Sequence, residues 1–470
     1  MDIEQLGALR ILPPIIAIGL AIWWRNVLPA LFAGIWTGTT ILAQGNPWIG
    51  LRQMIDPLAI DQLADRDHVK VILFTLSLGA MVGVITRNGG SRAVVDAMSH
   101  YVRGRRGGQV MTWLCGMLVF FDDYANALLI GGTMRPVTDR LRISREKLAF
   151  LIDSTAAPVA GVAIISTWVL TEIDWIKTSF DRLGQTQVDV GQIFLDSIPY
   201  RFYPLAMLLF VFVISVAGRD FGAMLKAEEK CLNGKLPDDE HESATSSFGG
   251  FKSNALIPLG VLLLISVYGF IFHRKESTDW LVLAAFLAST IAILVTIISR
   301  SLSVKATIDA WVEGLTHMVP AMVILALAWM LGGICSESHL NSGDYLRLQV
   351  GDSIAIHWMP TITFVLSAGV AFATGSSYAT MGLLFPPMTA LAWGLLGDSP
   401  APDDSIMLAT IGAVLAGSIW GDHCSPISDT TVLSSAAAKC DHLDHVATQM
   451  PYALAVGAIS IVCGWIPIGF

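Results

Sequence analysis

The sequence predicts an all-α polytopic membrane protein, with about ten transmembrane helices plus two re-entrant hairpins in an inverted-topology repeat that contains two broken helices. Three observations point there. The 470 residues are 54% hydrophobic and 14% charged, with a mean hydropathy of +0.62, whereas soluble domains carry about 25% charged residues. Apolar runs of roughly 18 residues or more recur from end to end, each long enough to cross a bilayer core. Two further apolar stretches hold polar breaks that no straight span explains.

The spans fall, in order, near residues 8–23, 27–44, 70–87, 146–170, 200–217, 253–272, 281–298, 318–336, 405–437 and 451–468. The start "MDIEQLGALR" lacks a basic lead-in, so the first run reads as a span and not as a cleaved leader. A polar stretch over 218–252 reads as a solvated cytoplasmic linker between a first repeat, 1–217, and a second, 253–470. Six scattered cysteines without CxxC spacing read as small apolar fillers. No GxxxxGK[ST] loop is present, which argues against ATP as the driving force. The net charge of −9 carries little weight, because orientation follows Lys and Arg in short loops.

Residues 109–134 lie between "RGRRGG" (103–108) and "RPVTDRLRISREK" (135–147), both Arg-rich and therefore both expected on the cytoplasmic side. The stretch from 109 to 121 makes about 20 Å of helix, short of a ~30 Å core. A re-entrant hairpin with its tip at Asp122, Asp123 and Tyr124 satisfies both constraints. Residues 359–395 read as a second hairpin, broken at "ATGSS" (373–377). It enters from outside, since "GDSPAPDDS" (397–405) has no Lys or Arg. Arg274 and Lys275 fall on the outer side in this plan, against the rule. Each half then reads as three spans, a hairpin, an interrupted span and one more span. The interruptions lie in "LIDSTAAPVAG" (151–161) and "WGDHCSPISDTT" (420–431).

Backbone that leaves a helix inside a bilayer is tolerated only where it is buried in protein or lines a wet cavity. The four breaks are therefore expected to converge near the midplane. The candidate ion- and proton-binding residues are Asp122, Asp123, Asn126, Thr133, Asp153, Ser154, Thr155, Thr374, Ser376, Ser377, Asp422, His423, Ser425, Ser428, Asp429 and Thr430. A carboxylate at mid-membrane costs roughly 2.5–3.5 kcal/mol, so its presence points to function. This hard oxygen set suits Na+ better than a soft metal. A desolvated carboxylic acid titrates closer to neutrality than a solvated one, which lets it trade a proton for sodium. Plainer roles are also open. Asp122, Asp123 or Asp153 can cap a helix, hydroxyls can satisfy loose backbone, and His423 can simply bond a neighbour. Arg135 and Asp139 read as a pair with each other or with headgroups. "DHLDH" (441–445) has metal-like spacing but reads as a solvated turn before the last span.

The motifs resemble a known family. "FDDYANALLIGGTMRPVTDRLRISREKLAFLIDSTAAPVAGVAIISTW" (121–168) and "GDHCSPISDTTVLSSAAAKCDHLDHVATQMPYAL" (421–454) resemble the NhaC-type sodium/proton antiporters. "ATGSSYATMGLLFP" (373–386) is similar to that family's "ATGTSWGTMGI"-type run, with Tyr378 where Trp is common. The resemblance implies a dimeric carrier with a scaffold and a moving transport part. It also implies exchange of Na+ for H+, and in some relatives coupling to carboxylates or amino acids. By the same likeness, polar motif positions of the family map onto Asp122, Asp123, Asn126, Asp153, Ser154, Thr155, Asp422, His423, Ser425, Asp429 and Thr430.

The leading expectation is a secondary active transporter in the cell inner membrane, exchanging Na+ for H+ at one carboxylate cluster. Its partners are the lipid bilayer and the two transported ions, with no cofactor and no nucleic acid. The alternative is a Na+-coupled carrier or exchanger of a small carboxylate or amino acid. A channel fits less well, because paired hairpins suit alternating access. No nucleophile elbow supports an enzyme.

Overall fold

The computed structural model describes residues 3–24, 26–99, 102–233, 251–273, 276–336, 339–342, 345, 355–397, 400–426 and 428–470. Among these, every regular element is a helix. Eight helices are long and apolar enough to cross a membrane: Arg66–Arg87, Phe202–Asn233, Ser253–Phe272, Thr278–Ile298, Val304–Cys335, Ile356–Thr374, Ser405–Cys424 and His442–Gly469. Two shorter apolar helices, Leu6–Ala21 and Leu28–Leu42, stand where the first two spans were expected. Arg274 and Lys275, residues 234–250 of the expected linker and the side chain of Asp429 lie outside the described residues.

The helices sort into two sets by what they pack against. Leu12–Trp24, Val27–Leu42, Arg66–Arg87, Ser253–Phe272, Ser277–Ile298 and Val304–Cys335 pack mainly on one another. The other set holds two helical hairpins, the interrupted helices, Phe202–Ala217 and the closing helix His442–Ser460. Ser405–Cys424 sits at its centre, with 83% of its apolar window buried, against 28% for Ser253–Phe272 on the periphery of the first set. Across the boundary, Val304–Cys335 meets Ser377–Leu395.

Local chemistry explains where the hairpins turn. The first pairs Gly104–Leu118 with Asp123–Arg140, and Asp122 is the N-cap of the second arm. The second pairs Met359–Thr374 with Ser377–Leu395. Its first arm ends at Gly375 in the left-handed conformation (φ 66°), where a side chain would be strained. Ser376 then caps the second arm.

Three expectations need correction. Residues 146–170 are not one helix broken at 151–161. The helix runs Arg145–Ala160, irregular backbone follows at 161–168, and a second helix spans Val169–Arg182. The polar run stays helical because Thr155 Oγ1 bonds back to Leu151 O at 2.8 Å. Pro158 lies so close to the C-terminus that the missing amide hydrogen bond costs only the last turn. Val169–Arg182 is buried almost throughout, yet Glu172, Asp174 and Asp181 lowered its apolar average below that of a span. The linker is not wholly solvated either. Gly222–Asn233 is a helix whose Met224 and Glu228 are buried, and Glu228 accepts from Ser144 N at 2.7 Å and pairs with Arg105.

"DHLDH" is the third correction. Asp441 caps the closing helix, and both histidines reach inward. His442 Nε2 lies 2.7 Å from Pro426 O and its Nδ1 3.1 Å from Ser435 Oγ, while His445 is fully buried. A cap followed by two inward histidines on one helical face looks, in sequence, like a polar turn. Asp139, finally, lies 3.6 Å from Arg145, the partner the structure gives it in place of Arg135.

Candidate ion-binding site

Three consecutive residues organise the buried centre. Asp153, Ser154 and Thr155 lie mid-helix in Arg145–Ala160 and are fully buried. Successive residues of a helix point about 100° apart, so the three reach three neighbours. Asp153 Oδ2 accepts from Gln449 Nε2 at 2.7 Å and lies 3.3 Å from His445 Nε2, and its Oδ1 accepts from Ser434 Oγ at 3.4 Å. Ser154 Oγ lies 3.2 Å from His423 Nε2. The Thr155 carbonyl accepts from Asn126 Nδ2 at 2.9 Å.

The two histidines differ in what their surroundings let them do. His445 Nδ1 is buried with no hydrogen-bond partner among the described residues. Hydrogen-bond logic therefore assigns its proton to Nε2, donating to Asp153, and disfavours a second proton. His423 is different. Its Nδ1 lies 2.7 Å from Tyr203 Oη, its Nε2 faces Ser154 Oγ, and Asp153 Oδ2 is 3.9 Å away. A hydroxyl both donates and accepts, so His423 keeps both partners whether neutral or protonated. Asp153 and His423 thus form a buried pair that can hold or release a proton without orphaning a ring nitrogen. Gln449 fastens them together, since its Nε2 also donates to the His423 carbonyl.

The turn of the first hairpin supplies a different chemistry. Asp122 Oδ1 accepts from Ala125 N at 2.7 Å, while its Oδ2 is buried with no hydrogen-bond partner among the described residues. Asn126 Nδ2 donates to Gly116 O at 2.8 Å and Val119 O at 3.2 Å, carbonyls exposed where the first arm ends. Its Oδ1 is likewise unpartnered. The Thr167 hydroxyl lies against Asp122, and its oxygen too lacks a partner. Thr167 N donates to Phe121 O at 2.9 Å, and Tyr378 Oη of the second hairpin donates to Thr167 O at 3.5 Å. The first hairpin's turn, the irregular 161–168 backbone and the start of the second hairpin's second arm therefore meet. Buried oxygens without partners are rare, and an ion is one of the few things that satisfies them.

A third contact joins the second hairpin to Ser405–Cys424. Ser377 Oγ donates to Asp422 Oδ2 at 2.9 Å, and Thr431 Oγ1 donates to Asp422 O at 3.3 Å. Ser425 Oγ donates to Phe372 O at 2.7 Å, and Ser428 and Thr430 hydroxyls lie 2.9 Å apart. Thr133, Thr374 and Ser376 bond local backbone, the plainer role the sequence left open. Asp123 opens the second arm of the first hairpin and accepts from Tyr124 N at 3.1 Å. No group of three or more His, Cys, Asp or Glu among the described residues could hold a metal ion. Any cation here would rest on mixed side-chain and backbone oxygens.

Sequence reasoning missed Gln449, His445, Ser434 and Tyr203. The spacing of His445 and Gln449, four apart, was a usable signal, because it places both on one helical face. It also missed Arg201, whose Nη1 donates to Gly161 O at 2.5 Å and Glu172 Oε2 at 2.6 Å, with Nη2 donating to Ser197 Oγ at 3.1 Å. This pair holds the carbonyl where the first interrupted helix ends.

With this geometry in view, the comparisons with known proteins gain meaning. The sequence profile of the Na+/H+ antiporter family matches residues 159–465. An uncharacterized protein of Haemophilus influenzae is 32% identical over 98% of this chain and 90% of its own. The Na+/H+ antiporter NhaC of Alkalihalophilus pseudofirmus is 28% identical over 41% of this chain and 38% of its own. The malate-2H+/Na+-lactate antiporter of Bacillus subtilis is 28% identical over 42% and 38%. Among solved structures, the Alcanivorax borkumensis YdaH transporter superposes with a TM-score of 0.63 at 15% identity, covering 89% of this chain and 88% of that one. That likeness speaks to the fold.

Proposed function

The chain belongs to the Na+/H+ antiporter family, and on that premise we propose that it exchanges Na+ for H+ across the cell inner membrane. It is a multi-span membrane transporter and not an enzyme. We assign the sodium ion to the turn of the first hairpin, where Asp122 Oδ2, Asn126 Oδ1 and Thr167 Oγ1 are buried oxygens in want of a partner. We assign the proton to Asp153 and His423. The observation that carries the reading is the 153–155 run, which ties both places to one rigid helix. Occupation of one is then felt at the other.

Exchange follows from competition. A proton on the Asp153–His423 pair withdraws negative charge from the centre and weakens cation binding. A bound Na+ favours loss of that proton by the same free energy. If the centre crosses the membrane only when loaded with one or the other, the two fluxes are coupled. The two packing sets supply the scaffold and the moving part of such a carrier, and two inverted halves, 1–217 and 253–470, are our reading of how they arose.

The test is a pair of fluxes in everted vesicles. Adding Na+ is expected to collapse a preformed pH gradient, and Asp122→Asn or Asp153→Asn is expected to slow that collapse at least tenfold. A purified protein whose proton flux is the same in Na+ and in choline would overturn the proposal. A second reading, exchange of a small carboxylate or amino acid coupled to Na+, is favoured by the name of the malate/lactate relative.

A further inference from the structure

The groups that the exchange reading does not use include one buried cation. Arg182 ends the helix Val169–Arg182, and its guanidinium faces a cavity of about 240 Å³ between the two packing sets. Its Nη1 is shut off from solvent and has no hydrogen-bond partner among the described residues. A basic residue in a last helical turn is unremarkable on the surface, where water completes its bonds. Inside a cavity, an unmatched guanidinium calls for an anion, and its fork of donors matches a carboxylate.

The guanidinium is seated by design of the backbone opposite. A Cβ on Gly332 would fall 1.9 Å from Arg182 Nη2, so only glycine leaves room for it to lie against Val304–Cys335. The rest of the wall is largely apolar, with Leu183, Leu331, Leu383, Pro386 and Trp393. The volume is below the ~300–1,000 Å³ typical of pockets for drug-sized ligands, and suits a small metabolite.

The mouth carries the opposite sign. Arg182 and Ser336 also line a wider recess that includes Asp61, Asp65, Asp67, Asp174 and Asp181, opposed among lining Lys and Arg by Lys177 and Arg182 alone. Such a mouth repels a plain anion and attracts a cation. A ligand that presents a carboxylate inward and a positive charge outward satisfies both ends. We propose that this cavity binds an α-amino acid with an apolar side chain, its carboxylate on the Arg182 guanidinium, its ammonium toward the acidic mouth and its side chain against Leu383 and Trp393. This site stands apart from the Na+ and H+ centre and does not depend on how that centre works.

The probe is L-[3H]leucine, with purified full-length protein and equilibrium binding in detergent. Two competitors dissect it: 4-methylpentanoate, which lacks the ammonium, and isoamylamine, which lacks the carboxylate. Leucine is expected to bind, and each half-ligand to compete at least tenfold less well than leucine itself. Arg182→Gln is expected to cut leucine affinity tenfold or more. Gly332→Ala, which displaces only the guanidinium tip, is expected to do the same while the melting temperature stays within a few degrees. Na+-dependent proton flux, measured on the same preparations, should persist in both variants. No leucine binding by the wild type at millimolar concentration, or binding equal in Arg182→Gln and wild type, would overturn the proposal. So would equal competition by 4-methylpentanoate, since the ammonium would then have no role.

Discussion

Asp153 is the residue on which most rests. Its carboxylate is fully buried and held by Gln449, Ser434 and His445. Asp153→Asn keeps the shape and an acceptor for Gln449 but cannot take up and release a proton at neutral pH. The expected result is at least a tenfold loss of Na+-dependent proton flux with little change in thermal stability, read by flux and melting on one sample. His423→Gln is expected to flatten the pH dependence of that flux, because the side chain that can gain a proton without losing its partners is gone. Asn126 is predicted to matter for stability instead. Asn126→Ala strips the acceptors Gly116 O, Val119 O and Thr155 O of their donor in a dry interior. A cost of about 1–3 kcal/mol follows, visible as a lowered melting temperature.

At the scale of elements, the hairpins depend on close backbone approach. A Cβ on Gly421 would sit 2.3 Å from Ala368 O, and one on Gly116 2.2 Å from Thr155 Oγ1. The first obstacle is backbone, so Gly421→Ala must push Ser405–Cys424 away from Met359–Thr374. The predicted cost is about 1–3 kcal/mol, together with a weakened contact between Ser377 and Asp422, whose donor and acceptor lie on those neighbouring elements. Melting of the purified variant checks the first part. Sodium affinity close to that of the wild type in a folded Gly421→Ala protein would show that the second hairpin does not shape the ion site.

At the scale of the whole molecule, the two packing sets predict relative motion during transport. Val304–Cys335 and Ser377–Leu395 face each other across that boundary, with a Cβ on Gly382 falling 2.6 Å from Ala328 Cβ. Bridging Ala328→Cys to Gly382→Cys with Hg2+ is expected to stop Na+-dependent proton flux, and excess thiol to restore it. Unchanged flux in the bridged protein would contradict a sliding boundary. Much of this architecture was legible in the chain. Apolar length marked the spans, and the Gly375–Ser376 pair and the acids at 122 and 123 marked both hairpin turns. Val169–Arg182 and the closing helix's inner face were not legible. Their acids and histidines lower hydropathy, and only the fold reveals that Glu172 is matched by Arg201 and His445 by Asp153. A buried polar helix reads as a loop whenever its partners lie far away in sequence.

The central claim is that sodium and protons oppose each other through one buried helix. Equilibrium binding of 22Na+ to the purified protein across a pH series tests it most directly. The apparent sodium dissociation constant should rise as pH falls, approaching tenfold per pH unit where one proton competes with one ion, and Asp153→Asn should flatten the curve. Sodium binding that is tight and independent of pH in the wild type would contradict the account.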